Sequence, residues 1–515
     1  MRKGKIVQVL IGLLLVAALV LIPMACKAPE VVPPVAPPVV PPVAPPVAPP
    51  VAPPVAPPVE GPRFVVTDIA EIENKTPVCI IVESEAGMKL MPPVFEAFKA
   101  QTGVDTTVDT VLFAAMYPKI NVELIGGTGA YDVVIVESSS TNEWAPYLYS
   151  MEELAAQFDP GGVAALRKEL VYFHPSLLRT CSTKDKVLMG MPYDNYTQCM
   201  MYRGDVWEDP TEKANFKARY GYELLPPIDW NQLHDQAEFF TRKEGELLKG
   251  EVLTQDIYGM AFEAGKFNIN DEISANMWGM GGDWADAVRD ETGKLIGWRI
   301  TEQNKLLLQA TLEIMHGWLP YCPPGVLTYY WENVATDFIA GRIMMTPHTF
   351  GCCIMPWASD VEDVVPGARI AGAEPIGNRG YVGCFHLAVA RASKNPEAAY
   401  WLVRLLTSAK YSLEWGEAGA WGATQLPVLT NPQYYTEPRT ARYLPWVNKC
   451  LDAHVPFVDN YIHFNSSAMG KLYEEQIQIG GDVMDGSLTP KQGMERWVEV
   501  LTDLQTKFGD VPIVD

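Results

Sequence analysis

Positive charge is what this chain has least of. Its 515 residues carry 40 Lys and Arg against 62 Asp and Glu, a formal net charge of −22. Such acidity argues against nucleic acid, whose binding rests on counterion release from phosphates. It also argues against broad contact with anionic lipid headgroups. Histidine is scarce, and the seven present are scattered without metal-ligand spacing, so no metal or other cofactor is expected. There is no Gly-x-Ser-x-Gly, Ser-x-x-Lys or His-Glu-x-x-His, no Walker loop and no Gly-x-Gly-x-x-Gly. The local signatures of many hydrolases and nucleotide enzymes are therefore missing. Paired carboxylates of the glycosidase kind escape this test, because they are not local in a chain. After Ile22 no stretch is apolar enough to span a membrane.

What is present begins at the N-terminus. Arg2, Lys3 and Lys5 precede an almost wholly apolar run from Ile6 to Ile22, and Pro23-Met24-Ala25 leads into Cys26. A basic start, a short apolar core and a small residue before the cut describe an export signal. The cut site is similar to the lipobox of bacterial lipoproteins, with Pro23 where that motif has leucine. The resemblance implies that Cys26 is acylated and becomes the mature N-terminus. A single-pass anchor is the rival, since the run is near the lower limit for a span. From Val31 to Val59 the chain repeats Pro-Pro-Val-Ala with few departures. Proline fixes φ and donates no backbone hydrogen bond. The segment therefore reads as an extended polyproline II stalk, reaching about 80 Å at ~3.1 Å per residue.

With Cys26 lipidated, eight of the nine cysteines remain: Cys79, Cys181, Cys199, Cys322, Cys352, Cys353, Cys384 and Cys450. An even number outside the cytoplasm permits disulfides without requiring them in a chain this large. Adjacent Cys352 and Cys353 do not easily pair, and no spacing fits a zinc site. Buried free thiols are the simpler expectation for most of them.

The body after the stalk has enough residues for two or three full cores. Val78 to Val82 is a short apolar run, predicted as a strand covered on both faces. Lys89 to Gln101 is predicted helical, with Leu90, Val94, Phe95 and Phe98 on one face and a stop at Thr102-Gly103. Val104 to Val111 reads as a strand, Tyr117 to Leu124 as a helix and Tyr131 to Val136 as another buried strand. This alternation implies a parallel sheet with helices on both faces, whose ligands sit beyond the carboxyl ends of the strands. Polar Pro192 to Tyr196 is expected to turn and cross into a second lobe. Trp230 to Arg242 and Lys305 to Trp318 read as helices. Ser393 to Ser408 does too, with Ser393 as its cap, and so does Thr489 to Phe508, opened by a Thr489–Gln492 capping box with Pro490.

The order of these elements resembles the family 1 extracellular solute-binding proteins, the maltose- and multiple-sugar-binding components of ABC importers. Gly190-Met191-Pro192-Tyr193 resembles the family's first hinge segment. Met201-Tyr202-Arg203 with Val206-Trp207, and Asp229-Trp230-Asn231-Gln232-Leu233, resemble its next strand and helix starts, with Arg203-Gly204 where Asn-Lys is usual. Gly279 to Asp283, Gly341 to Met345, Lys394 to Leu406 and Gly419 to Val428 follow in the family's order. The resemblance covers nearly all of Arg63 to Asp515. It implies an α/β, two-lobed periplasmic-binding-protein fold with three hinge crossings, near Tyr193, Tyr381 and Thr424. The implied organisation is a signal at 1–25, a tether at 26–62, lobe one at 63–192 plus 380–424, and lobe two at 193–379 plus 425–515.

It further implies a monomeric, lipid-anchored extracytoplasmic receptor that delivers a carbohydrate to ABC permease subunits, without catalysis. A sugar presents apolar ring faces and a rim of hydroxyls, so its site needs aromatic plates and bidentate polar side chains. Strand ends and crossings offer Glu83, Ser84, Ser138, Asn142, Trp144, Tyr193, Asp194, Asn195, Trp278, Gly282, Trp284, His348, Tyr381 and Trp421. Asp194 is the leading polar candidate. The bland alternatives are core tryptophans, helix-capping serines at Ser138 to Ser140 and solvated loop acids. Trp318 and Trp401 are assigned to the core. Two alternatives stay open: a small anion such as glycerol phosphate, for which Arg203 and Arg379 are the only cations near these loops, and a secreted hydrolase.

Overall fold

A computed structural model describes residues 69, 72–83, 90–351, 354–418, 422–435 and 442–514. The signal, Cys26, the proline-rich segment, Ser84 and Trp421 lie outside these residues.

Nine strands build the two principal sheets: β1 (Val78–Glu83), β2 (Thr106–Val111), β3 (Val133–Glu137), β4 (Met191–Asn195), β5 (Gln198–Arg203), β6 (Tyr258–Met260), β7 (Ile343–Phe350), β8 (Ile370–Ala373) and β9 (Cys384–Val389). The first sheet runs β2-β1-β3-β9-β4 and the second β8-β5-β7-β6. In the first, β1 pairs parallel with β2 and β3, while β9 is antiparallel to both β3 and β4. The carboxyl ends of β1, β2, β3 and β4 therefore share one edge, where Phe385 of β9 lies opposite Glu137. In the second sheet β6 and β7 are parallel, and Phe350 at the end of β7 lies opposite Gln198 at the start of β5.

The helices that bear on the site and core are α1 (Met91–Thr102), α2 (Phe113–Gly126), α3 (Ile269–Gly279), α4 (Glu302–Trp318), α5 (Pro396–Leu406), α6 (Met469–Met484) and α7 (Pro490–Phe508). α1 buries Met91, Val94, Phe98 and Thr102, and ends on Gly103 at φ 71, the left-handed cap that suits glycine. It packs with α5 against the first sheet. In the second lobe α3 packs on α6, and α7 on both α6 and α4. Trp318 and Trp401 are buried, as core residues are expected to be. The capping box of α7 forms between Thr489 and Gln492. The cap of α5 is not Ser393 but Asn395, whose side chain accepts the Ala398 N–H. The Ser393 hydroxyl instead donates to Asp132 at 2.6 Å.

Pro192–Tyr196 is likewise mostly strand rather than turn, because Met191–Asn195 pairs with β9 at the sheet's edge, where a proline costs no ladder bond. The chain then passes from the first sheet to the second through Tyr196 and Thr197. It returns between Ala373 and Cys384, and a third passage begins at Gly422 and Ala423, where Thr424–Leu426 are still bonded to Tyr172–His174 of the first lobe. The three passages are tied to one another. Gln198 N–H donates to the Tyr381 carbonyl (2.8 Å), Asn195 N–H to that of Gly422 (3.0 Å), and Asn195 Nδ2 to that of Ala423 (3.1 Å). Two glycines make this closeness possible. A Cβ on Gly422 would stand 1.7 Å from the Asn195 carbonyl oxygen, and one on Gly383 2.0 Å from the Tyr196 ring.

Candidate ligand-binding site

Where the two sheets meet edge to edge lies a layer of rings and carboxyls. Glu137 ends β3. Its carboxylate accepts the Ser139 N–H at 2.7 Å, together with the hydroxyls of Ser139 and Tyr196. Burial nevertheless pushes its pKa up. The Tyr196 ring, in the first crossing, packs against Phe385 at 4.9 Å, Phe350 at 5.8 Å and Tyr381 at 6.2 Å. Phe113, which opens α2 beyond the end of β2, touches Phe385 and also Phe267 ahead of α3, at 5.4 Å. Phe267 continues to Tyr330. Aromatic contact thus runs from one lobe's strand ends to the other's.

The second lobe brings acids to the same layer. Glu263 follows β6, and Asp271 and Glu272 stand in the first turn of α3. Glu272 Oε2 is 2.7 Å from His348 Nδ1, and its Oε1 accepts the Glu263 N–H at 3.2 Å. Asp271 accepts from Asn270 at 2.9 Å and from Tyr473 at 3.2 Å. Burial first, then the charge of Glu137, holds Asp271 well above the usual carboxyl range. Burial with Glu272 and Asp271 does the same to Glu263.

Of the residues proposed from sequence, this layer gathers several. Tyr381 stacks on both Tyr196 and Trp278, and His348 bonds Glu272. Tyr193, Asp194 and Asn195 are buried in β4, and Asp194 Oδ1 accepts the Gly422 N–H at 2.6 Å. Glu83 ends β1 and is buried. Others are committed elsewhere. Ser138 neither caps a helix nor faces outward; its hydroxyl exchanges bonds with the backbone of Cys384. The following turn is capped by the carboxylate of Glu137 instead. Asn142 ties the carbonyl of Phe464 to the N–H of Lys184, both at 2.8 Å. Trp144 stacks on Tyr117 and donates to Asn121. Trp284 packs on Trp497 in the second lobe's core and donates to Ser274. Gly282 abuts Leu307. Trp278 is fully buried, stacked 4.3 Å from Tyr461, with its N–H on Asp283 at 2.9 Å.

Sequence reasoning passed over Glu137, Tyr196, Glu263, Asp271, Glu272 and Tyr473. Glu137 carries a local signal, an acid that closes the apolar run Val133 to Val136 just before three serines. Glu263 had a signal too: an acid inside the apolar run Tyr258 to Ala264.

Two α/β lobes joined by three crossings, with strand ends converging on one layer, define the fold of periplasmic binding proteins. Solved structures share it. One is an ABC transporter solute-binding protein of Thermotoga lettingae TMO bound with α-D-tagatose (17% identity, 84% of this chain, 100% of that one, TM-score 0.61). Another, from Agrobacterium radiobacter K84, is in complex with ribitol (19%, 85%, 100%, 0.62). A third is maltose-bound MalE3 of T. maritima (15%, 84%, 100%, 0.60). At such identities the likeness establishes the fold. No curated protein matches the chain in sequence. The sequence profile of the bacterial extracellular solute-binding proteins matches residues 83–412, and the chain belongs to that family. Among the described residues no helix is long and apolar enough to cross a membrane.

Proposed function

We propose that this protein is the receptor of an ABC importer that captures a carbohydrate between its lobes and hands it to the permease. The observation that carries the reading is the inter-lobe layer, where Tyr196, Phe385, Phe350, Tyr381 and Phe113 supply ring faces beside hydrogen-bonding Glu137 and His348. That mixture suits a solute with apolar faces and a polar rim. Family membership supports a binding role, and the tagatose, ribitol and maltose held by proteins of the same fold support the solute class. We take lobe one as 63–192 plus 380–424 and lobe two as 193–379 plus 425–515, closing about the crossings on solute. Glu83, Asp194, Asn195, His348 and Tyr381 are the sequence-derived contacts that we retain, with Glu137 and Tyr196 added. Lipid on Cys26 and the proline stalk would hold the receptor at the extracytoplasmic face of the cell membrane.

Titration by intrinsic tryptophan fluorescence with neutral sugars, polyols and small anions at two salt concentrations tests this. A saturable response to a sugar or polyol, with the solute recovered intact, is expected. Tight binding of an anion that weakens steeply with salt, and no sugar response, overturns the carbohydrate reading. Turnover of the solute overturns the receptor reading. Cys26→Ala is expected to move the protein from the membrane fraction to the soluble one; retention in the membrane refutes the lipid anchor.

A further inference from the structure

The acids of the second lobe lack what buried acids ordinarily have. Glu263 is 2% exposed, Asp271 3% and Glu272 0%. Among the described residues none of the three is paired with lysine or arginine; the one ion-pair partner is the His348 ring on Glu272. The start of α3 offers them about half a positive charge. That is small against three carboxyls, and an uncompensated buried carboxylate is strongly disfavoured.

Within residues 263–272 the buried side-chain atoms left without a partner are all acceptors. Glu263 Oε2, Asn268 Oδ1 and Asn270 Oδ1 are buried without a hydrogen-bond partner. Both amides turn their nitrogens toward Asp271. Asn270 Nδ2 donates to its Oδ1 at 2.9 Å and Asn268 Nδ2 to its Oδ2 at 3.5 Å, so each amide oxygen is the atom left unsatisfied. The group sits at the strand ends of the second lobe, beside Phe267, which meets Phe113 of the other lobe. It therefore belongs to the layer where solute is expected.

We propose that the solute carries a protonated amine, received by Glu263, Asp271 and Glu272 with the side-chain oxygens of Asn268 and Asn270. This rests on the receptor reading above and narrows its solute to an amino sugar or amino polyol. An ammonium offers three donors and no acceptor, which is what a set of orphan acceptors requires. A hydroxyl brings an acceptor with its donor, and it leaves the charge uncompensated. Burial and the neighbouring carboxyls push Glu263 and Asp271 up, which favours their neutral forms without a cation; a bound ammonium would favour the charged ones.

The test is calorimetric titration of the full chain, freed of co-purified solute by unfolding and refolding, with matched pairs: glucose and glucosamine, galactose and galactosamine, sorbitol and its 1-amino-1-deoxy analogue. N-acetylglucosamine serves as the uncharged control, and calcium chloride and sodium chloride as metal probes. At least one amine is expected to bind roughly 30-fold or more tightly than its neutral partner, as buried charge pairs do. Glu263→Gln and Asp271→Asn should each cut the ratio of amine to neutral affinity about tenfold or more. Neutral sugars that bind as well as their amines overturn the amine and leave the receptor standing. Silence from every amine while a neutral sugar binds has the same meaning. Silence from all of them removes the carbohydrate reading with it. Calcium or sodium bound by these acids, abolished by both variants, overturns the amine in favour of a metal ion. The wild-type pairs alone decide the matter if a variant fails to fold.

Discussion

Asp283 offers a prediction whose sign and size both follow from its surroundings. It sits just past α3 and is buried, with Oδ1 accepting the Trp278 N–H at 2.9 Å and Oδ2 the Ile462 N–H at 2.8 Å. Those two donors favour the charged form, yet burial outweighs them and the pKa rises from 3.8 to about 7. Between those values the folded chain keeps a proton that the unfolded chain has released. The carboxyl therefore stabilises the fold at low pH, and the contribution is lost as pH rises through about 7. At ~1.4 kcal/mol per pH unit the rise is worth ~4 kcal/mol. The whole-protein curve does not report it. Burial pushes His454 and His463 down to about 3, so both contribute stability above the ordinary histidine value that is lost as pH falls toward 3. The difference between Asp283→Asn and wild type isolates the group. Chemical denaturation of the solute-free protein across pH 4 to 8 should show the variant gaining on wild type by ~4 kcal/mol as pH rises. A constant offset of ~1 kcal/mol for the lost acceptor accompanies it. A difference that does not change with pH, or that falls as pH rises, refutes the reasoning.

Four further substitutions, at three residues, follow from packing and buried charge. Trp278→Ala is expected to cost ~3–5 kcal/mol in denaturant unfolding, because the indole is fully buried and stacked on Tyr461 and Tyr381. Trp278→Phe should cost ~1–2 kcal/mol through the lost bond to Asp283; unchanged stability with lost solute binding would make it a ligand plate instead. Gly422→Ala should destabilise by ~3 kcal/mol or more, seen as a lowered Tm, since its Cβ would meet the Asn195 carbonyl at 1.7 Å. Arg404→Met should cost ~3–5 kcal/mol at neutral pH, because it strands the carboxylates of Asp159 and Glu169; the loss should shrink in acid as Glu169, which burial already pushes up, protonates, and an equal loss at both pH values contradicts it.

The fold was legible because its signals are local. Val78 to Val82 is apolar at every position, and it forms a buried strand one residue longer than the run itself. Thr489, Pro490 and Gln492 state a helix start within four residues, and the helix starts there. Where long-range pairing competes, local reading fails. Pro192-Tyr193-Asp194-Asn195 has turn chemistry, yet β9 offers it a ladder, and the strand wins. Ser393 is a good cap by type, but Asp132, far earlier in the chain, takes its hydroxyl and leaves the cap to Asn395.

The site was legible only in part, for a related reason. A tryptophan's role depends on what meets its faces, and sequence does not record that. Trp278, Trp284 and Trp144 have the same composition-level signal, but Trp284 meets Trp497, Trp144 meets Tyr117, and Trp278 alone touches the crossing through Tyr381. Acids mislead in the opposite direction, since a charge near a strand end is ordinarily read as solvated. Glu263, Asp271 and Glu272 are instead buried together, and among the described residues none of them has a lysine or arginine partner. An excess of acids over bases guarantees that some carboxyls go without a protein cation. Surface carboxyls find theirs in solution, and on the amine proposal the buried ones at the lobe boundary take theirs from the solute.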